Sequence, residues 1–268
     1  MLALVDLAPR SDFTIFAATC QNDHRGWSET ESHGDHRVVL VRRGRFRRMA
    51  NGVPADIDST LAYVGQPGEE EHFAHPDGGD SCTSVSLTPA LWQVLAGDEA
   101  RVTRSTVYVD PPLDLTHRRF LVAARTGDVD YALTEALLGL LKRVIEQVVA
   151  GPTPMSAGPS RSDQALVMSA RAMVGDSHPA ASGLLPLATL LGVSPYRLSR
   201  AFTRELGVSL TRYRNRVRVG RALDRLEGGE SSLSTLAADL GYADQAHLSR
   251  TMRDELGHTP TALRRLLT

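Results

Sequence analysis

A chain of 268 residues with two cysteines and a formal net charge of -1 is long enough for two domains that bury their own cores, and it needs no disulfide framework. The opening segment MLALVDLAPRSDF has no basic leader or apolar run, and no stretch approaches an uncharged membrane span; a soluble protein of the reducing cytoplasm, away from membranes, is expected. The near-zero total conceals an asymmetry, because residues from 155 onward carry 15 Lys+Arg against 10 Asp+Glu while those before carry 15 against 21. All the basic residues of the second part are arginine, whose planar fork suits phosphates and guanine edges, so that part is expected to meet a polyanion.

In chain order, the apolar runs RVVLVRRGRFRRM and TLAYVG, punctuated by NGVP, QPG and PDGGD, have the spacing of short strands and turns. They predict an all-β sandwich or barrel over residues 1 to about 110. Six of the nine histidines (His24, His33, His36, His72, His75 and His117) and both cysteines lie before residue 120. His33, His36 and His72 with Cys82 could supply a four-ligand nitrogen and sulfur site for zinc or a similar divalent ion. An organic effector in a pocket with Trp27 and His75 is the other reading, and Cys20 with Cys82 could serve as redox partners. The run Glu69, Glu70, Glu71 reads as a solvated turn.

The stretch YALTEALLGLLKRVIEQVVA (residues 131–150) places Leu133, Leu137, Leu140, Leu141, Val144 and Val148 on one side of a helix. Such a stripe either covers its own sheet or pairs with a second subunit, which would make a homodimer. Helical structure is expected over about 111–150, completing a unit of residues 1–150. GPTPMSAGPSRSD (residues 151–163) has turn-forming composition without periodicity and reads as a linker.

From residue 164 to 268 the pattern is helical. QALVMSARAMVG puts Leu166, Ala170, Met173 and Val174 on one face, and Pro186 falls near a first helical turn. A short phrase then occurs twice: RLSRAFTRELGVSL (residues 197–210) and HLSRTMRDELGHTP (residues 247–260). Each copy is preceded by Leu-Ala and Leu-Gly, at Leu187-Ala188 and Leu191-Gly192, and at Leu236-Ala237 and Leu240-Gly241. The unit is a helix, a glycine turn and a second helix capped by Ser194 or Asp244, the helix-turn-helix geometry whose second helix enters the DNA major groove. With Leu198, Phe202 and Leu206 inward, Tyr196, Arg197, Ser199, Arg200 and Arg204 face outward; with Leu248, Met252 and Leu256 inward, Gln245, His247, Ser249 and Arg250 do. These are groups that read base edges and hold phosphates. Between the copies, TRYRNRVRVGRALDRLE predicts a connecting helix with Tyr213, Val217, Ala222 or Leu223, and Leu226 inward and its arginines, Arg212, Arg214 and Arg218 among them, toward solvent or phosphate.

The order LA, G-Y, L-S-R and G-x-T-P-x-x-x-R across the last hundred residues resembles the DNA-binding domain of AraC/XylS-type transcription regulators. The resemblance implies two helix-turn-helix units on double-stranded promoter DNA, with Arg200 and Arg250 aimed into the grooves. It also implies RNA polymerase as a partner if the protein is an activator. Met252 stands where the family usually has Phe, and Leu210 where Pro often follows. The stretches SHGDHRVVLVRRGRF and QPGEEEHFAHPDGGDSC look like degenerate forms of the two cupin motifs, with Arg37 to Leu40 where a metal-binding cupin offers a carboxylate. The expectation is therefore a two-domain protein, a mainly-β cupin-like sensory domain joined to an all-α double helix-turn-helix domain, responding to a small molecule or metal and not itself an enzyme. A metal-dependent cupin enzyme carrying a DNA-binding tail, or a protein-interaction module in the same place, are the competing readings. No nucleophile elbow, phosphate loop or dinucleotide fingerprint occurs.

Overall fold

A computed structural model of the chain describes residues 2–21, 25–97, 100–126, 131–149 and 161–267. They fall into two compact units divided at residues 153 and 154. His24 and most of the stretch read as a linker, residues 151–160, lie outside the described residues.

The first unit is built on nine antiparallel strands: β1 (Leu2–Pro9), β2 (Phe13–Cys20), β3 (His36–Arg43), β4 (Arg45–Ala50), β5 (Val53–Asp58), β6 (Leu61–Gly65), β7 (Glu71–Ala74), β8 (Asp80–Leu87) and β9 (Thr106–Tyr108). Their order is β1-β2-β8-β3-β6-β5-β4-β7, with β9 on β6. Asn51 and Gly52, both at positive φ, join β4 to β5 in a two-residue hairpin that pairs Ala50 with Val53, the turn whose twist matches the flanking strands. Helices α1 (Pro89–Ala96), α2 (Pro111–Thr126) and α3 (Ala132–Val148) follow. Strand alternation divides the sheet. Ile15, Val38, Leu40, Val85 and Leu87 pack with the helices in one core. Their neighbours Phe16, Arg37, Val39, Cys82, Ser84 and Ser86 line a cavity on the opposite face. The unit is a cupin-like half-barrel. All six apolar residues named along residues 131–150 are buried in this same core, so the stripe covers its own sheet and is not left free to join a second subunit.

The second unit is all helical: α4 (Arg161–Gly175), a 3-10 turn (Pro179–Ser182), α5 (Leu184–Leu190), α6 (Pro195–Leu206), α7 (Leu210–Glu227), α8 (Leu233–Asp239), α9 (Gln245–Leu256) and α10 (Pro260–Leu267). Helix α4 begins three residues inside the stretch read as linker, and Met173 is only half-buried on it. In the connecting helix α7 the inward stripe is Tyr213, Arg216, Val219, Gly220, Ala222, Leu223 and Leu226. Arg216, 2 % exposed, takes the inward place that sequence reading gave to Val217, because the stripe advances by three and four residues from Tyr213 whatever the polarity of the residue there.

Candidate functional site

The two helix-turn-helix units are built alike. Gly192 and Gly241 adopt φ of 66° and 70° in the turns, a conformation that costs glycine little. Ser194 Oγ accepts from Arg197 N at 3.2 Å, and Asp244 Oδ1 accepts from His247 N at 2.6 Å. These caps satisfy otherwise orphaned donors at the starts of α6 and α9. Gly207 and Gly257, at φ 73° and 74°, end both helices in left-handed caps. Leu198, Phe202 and Leu206, with Leu248, Met252 and Leu256, are buried as expected. Met252 therefore fills its core position without any change to the outer face.

The outward residues divide into three groups. Arg200 is exposed, its guanidinium 5.4 Å from the Tyr196 ring centre and donating to the Tyr196 hydroxyl at 3.3 Å; Gln245 and Arg250 are also exposed, Ser199 and Ser249 half-buried. Arg197 and Arg204 differ, because Asp163 of α4 pairs with both, and Arg197 also donates to Ser162 Oγ at 2.8 Å. His247 is half-buried, its ring edge-on to Tyr242 and its Nδ1 accepting from Ala243 N at 3.3 Å. It braces the turn.

Several arginines of α7 are struts. Arg218 donates to the carbonyls of Leu240 and Gly241 at 2.9 and 2.5 Å and stacks 3.9 Å over Tyr242. Arg221 donates to Gly175 O at 2.6 Å, and Arg225 bridges Asp239 and Glu230 at 2.7 and 2.6 Å. Burial lowers the pKa of Arg218. Sequence reading placed Arg218 toward solvent or phosphate; the Gly-Tyr pair in the second turn was the signal that an arginine would stack there.

The cavity of the first unit measures about 520 Å³ and is mostly walled by apolar side chains, including Phe16, Phe46, Tyr63 and Phe73. His33, His75, Cys20, Cys82 and Asp80 reach it; Trp27, His36 and His72 do not. Parity explains the difference. His36 points with Val38 and Leu40 to the helix side, where it stacks on Trp92 with ring centres 4.3 Å apart, and burial lowers its pKa. His72 turns away from the face shared by Phe73 and His75, and its Nδ1 lies 3.0 Å from Ser28 O. Trp27 is 38 % exposed, with Arg47 5.2 Å from its ring centre. No three of His33, His36, His72 and Cys82 bring ligand atoms together; among the described residues Cys20, His75 and Asp80 do, all within 4.8 Å. Both cysteines are free, and burial, with the Asp80 carboxylate, pushes the Cys82 thiol up to about 12.

Beside the cavity Glu70 is exposed as expected, but Glu69 and Glu71 are not solvated. Glu71 is 2 % and Glu69 9 % exposed. Arg48, itself 2 % exposed, donates to Glu71 at 2.5 Å and Glu69 at 2.6 Å, and Arg37 donates to Glu71 at 2.6 Å. Sequence reading missed this network because the partners are 21 to 34 residues apart.

Residues 187–266 match the family model described as helix-turn-helix domain. Over 244 residues the chain is 27 % identical to the HTH-type transcriptional regulator GlxA of Rhizobium meliloti, covering 85 % of this chain and 65 % of that protein. It is 23 % identical to the HTH-type transcriptional activator RhaS of Escherichia fergusonii, covering 87 % of each. Among solved structures, fatty-acid-bound ToxT of Vibrio cholerae is 10 % identical, with 97 % of each chain covered and a TM-score of 0.37. The chain thus spans slightly under two thirds of the length of the first of these relatives. The duplicated capped turn and the matched sequence agree on a class: residues 187–266 form a helix-turn-helix domain with two such units. In this chain that domain follows a cupin-like unit, and the relatives it resembles over most of its length are transcription regulators. Among the described residues no helix is long and apolar enough to cross a membrane.

Proposed function

We propose that the protein is a sequence-specific transcription regulator that binds double-stranded operator DNA through α6 and α9 and responds to an effector held in the half-barrel cavity. The observation that carries this reading is the repetition of one construction, with a glycine turn, a side-chain cap and an exposed arginine at the same helical position in both copies. Tyr196, Ser199, Gln245 and Ser249 flank Arg200 and Arg250 on the reading surface, while Arg197, Arg204 and His247 join it to the rest of the domain. A connecting helix of 18 residues, roughly 27 Å long at 1.5 Å per residue, supports two heads reading successive grooves on one side of the duplex. The domain limits are taken as 1–150, 151–160 and 161–268, the last domain opening with α4 at Arg161. The acidic first half repels DNA and leaves contact to the second.

The effector acts by linkage, favouring one arrangement of the chain over another, and RNA polymerase is the further partner if transcription is activated. The likeness to regulators supports a role without catalysis. Selection of bound duplexes from a random pool, followed by anisotropy titration of the selected site, tests the proposal. A defined consensus bound far more tightly than random duplex is expected; equal affinity for both overturns it.

A further inference from the structure

Cys20 ends β2 directly opposite Asp80, which begins β8, in the antiparallel register of the two strands. His75 follows β7 by one residue. The three meet at the wall of the cavity, with sulfur, imidazole nitrogen and carboxylate oxygen all within 4.8 Å of one another. Cys20 and Asp80 are each 7 % exposed. Asp80 Oδ1 lies 3.0 Å from His75 Nε2, an ion pair when the imidazole is protonated, and this buried oxygen accepts no hydrogen bond. A buried carboxylate oxygen in that state carries a desolvation cost that a cation would remove.

This corner depends on two close backbone approaches. A Cβ on Gly79 would stand 2.3 Å from the Cys20 carbonyl oxygen, and one on Gly44, at φ 76°, would stand 2.4 Å from the Gly79 carbonyl oxygen. Glycine at both positions lets the end of β2, the turn between β3 and β4, and the turn before β8 converge. That convergence delivers Cys20 and Asp80 to His75.

We propose that Cys20, His75 and Asp80 bind a divalent cation of the zinc class, which is the effector of this regulator, with the fourth coordination position open to the cavity. The effector role rests on the function proposed above; the binding itself does not. Tetrahedral zinc, with nitrogen and oxygen about 2.0 Å away and sulfur about 2.3 Å, separates its ligand atoms by roughly 3.3 to 3.6 Å, within reach of small side-chain adjustments here. A thiolate and an imidazole select against magnesium and calcium, which take oxygen ligands. Three protein ligands and one open position leave room for water or a small oxyanion.

The test titrates cobalt(II), as a spectroscopic stand-in for zinc, into the full chain. One equivalent is expected to produce a thiolate-to-cobalt absorption band that added zinc abolishes. The band is expected to disappear in Cys20→Ser, to require more than about tenfold more cobalt in His75→Gln and Asp80→Asn, and to persist in Cys82→Ser, whose thiol faces the same cavity. No band in the folded wild-type chain, a band surviving Cys20→Ser, or one lost only in Cys82→Ser overturns the site. Zinc is also expected to change the affinity of the wild-type chain for its selected duplex at least fivefold, with no change in Asp80→Asn. Metal binding without that change overturns the effector role. Duplex selection by the metal-free chain tests DNA recognition separately.

Discussion

Arg200 and Arg250 are each the sixth residue of their helix, α6 and α9, and both are exposed. Their helices start from side-chain caps at Ser194 and Asp244 and stop at left-handed glycines. Position along the helix is therefore fixed at both ends by backbone chemistry, and the two side chains leave their helices at equivalent positions, Arg200 in addition donating to Tyr196.

Arg200→Ala and Arg250→Ala are each expected to weaken binding to the selected duplex by about 1 to 3 kcal/mol and to relax discrimination at different base positions. Anisotropy titration against single-base variants of the duplex reads both effects. Equal losses on selected and random DNA would mean that the two arginines touch phosphate alone.

Asp163→Asn is expected to strengthen DNA binding. The carboxylate pairs with Arg197 and Arg204, so its neutralisation releases two guanidinium groups for phosphate. The logarithmic dependence of affinity on salt should steepen by about one to two. An unchanged slope would place those arginines away from the duplex.

Arg48→Met is expected to destabilise the first unit by about 3 to 5 kcal/mol, because it leaves the buried carboxylates of Glu69 and Glu71 without their shared partner. Urea unfolding of the full chain, followed by a probe in that unit, measures the loss.

His117 makes stability depend on pH. Burial, then the neighbouring Arg42, lowers its pKa to about 3, and its Nε2 lies 2.8 Å from Thr83 Oγ1. Between the unfolded value of 6.5 and about 3 the unfolded chain holds the extra proton, so this contribution is complete above pH 6.5 and is lost as pH falls. His117→Gln should make the acid side of the stability profile shallower by up to about 1.4 kcal/mol per pH unit. A parallel profile would contradict the assignment.

The helical half was legible because its signals are local. Caps, glycine turns and the Leu198, Phe202, Leu206 stripe lie within one or two turns of each other, and duplication displayed them twice. Arg216 was misplaced because reading by polarity preferred Val217, although the spacing from Tyr213 already pointed to 216. In the half-barrel, composition indicated strands and clustered histidines but not parity. His36, on the helix side, and Arg37, in the cavity, are consecutive residues. Cys20, His75 and Asp80 come together only through strand pairing and a glycine corner, and the Arg48 network spans separate strands. Such long-range contacts leave no local pattern to read.

The struts of α7 carry a further consequence. Arg218 fastens the helix to the second turn, Arg221 to the end of α4, and Arg225 to Asp239 of α8. The connecting segment is thus a ruler clamped over its second half, from Arg218 to Arg225, and the separation of the two heads is a property of the domain. One extra base pair between the two contacted sites rotates one relative to the other by roughly 35° and shifts it by about 3.4 Å. A clamped ruler does not follow that rotation, so operators of this protein should tolerate base changes between the contacted sites far better than a change in their spacing.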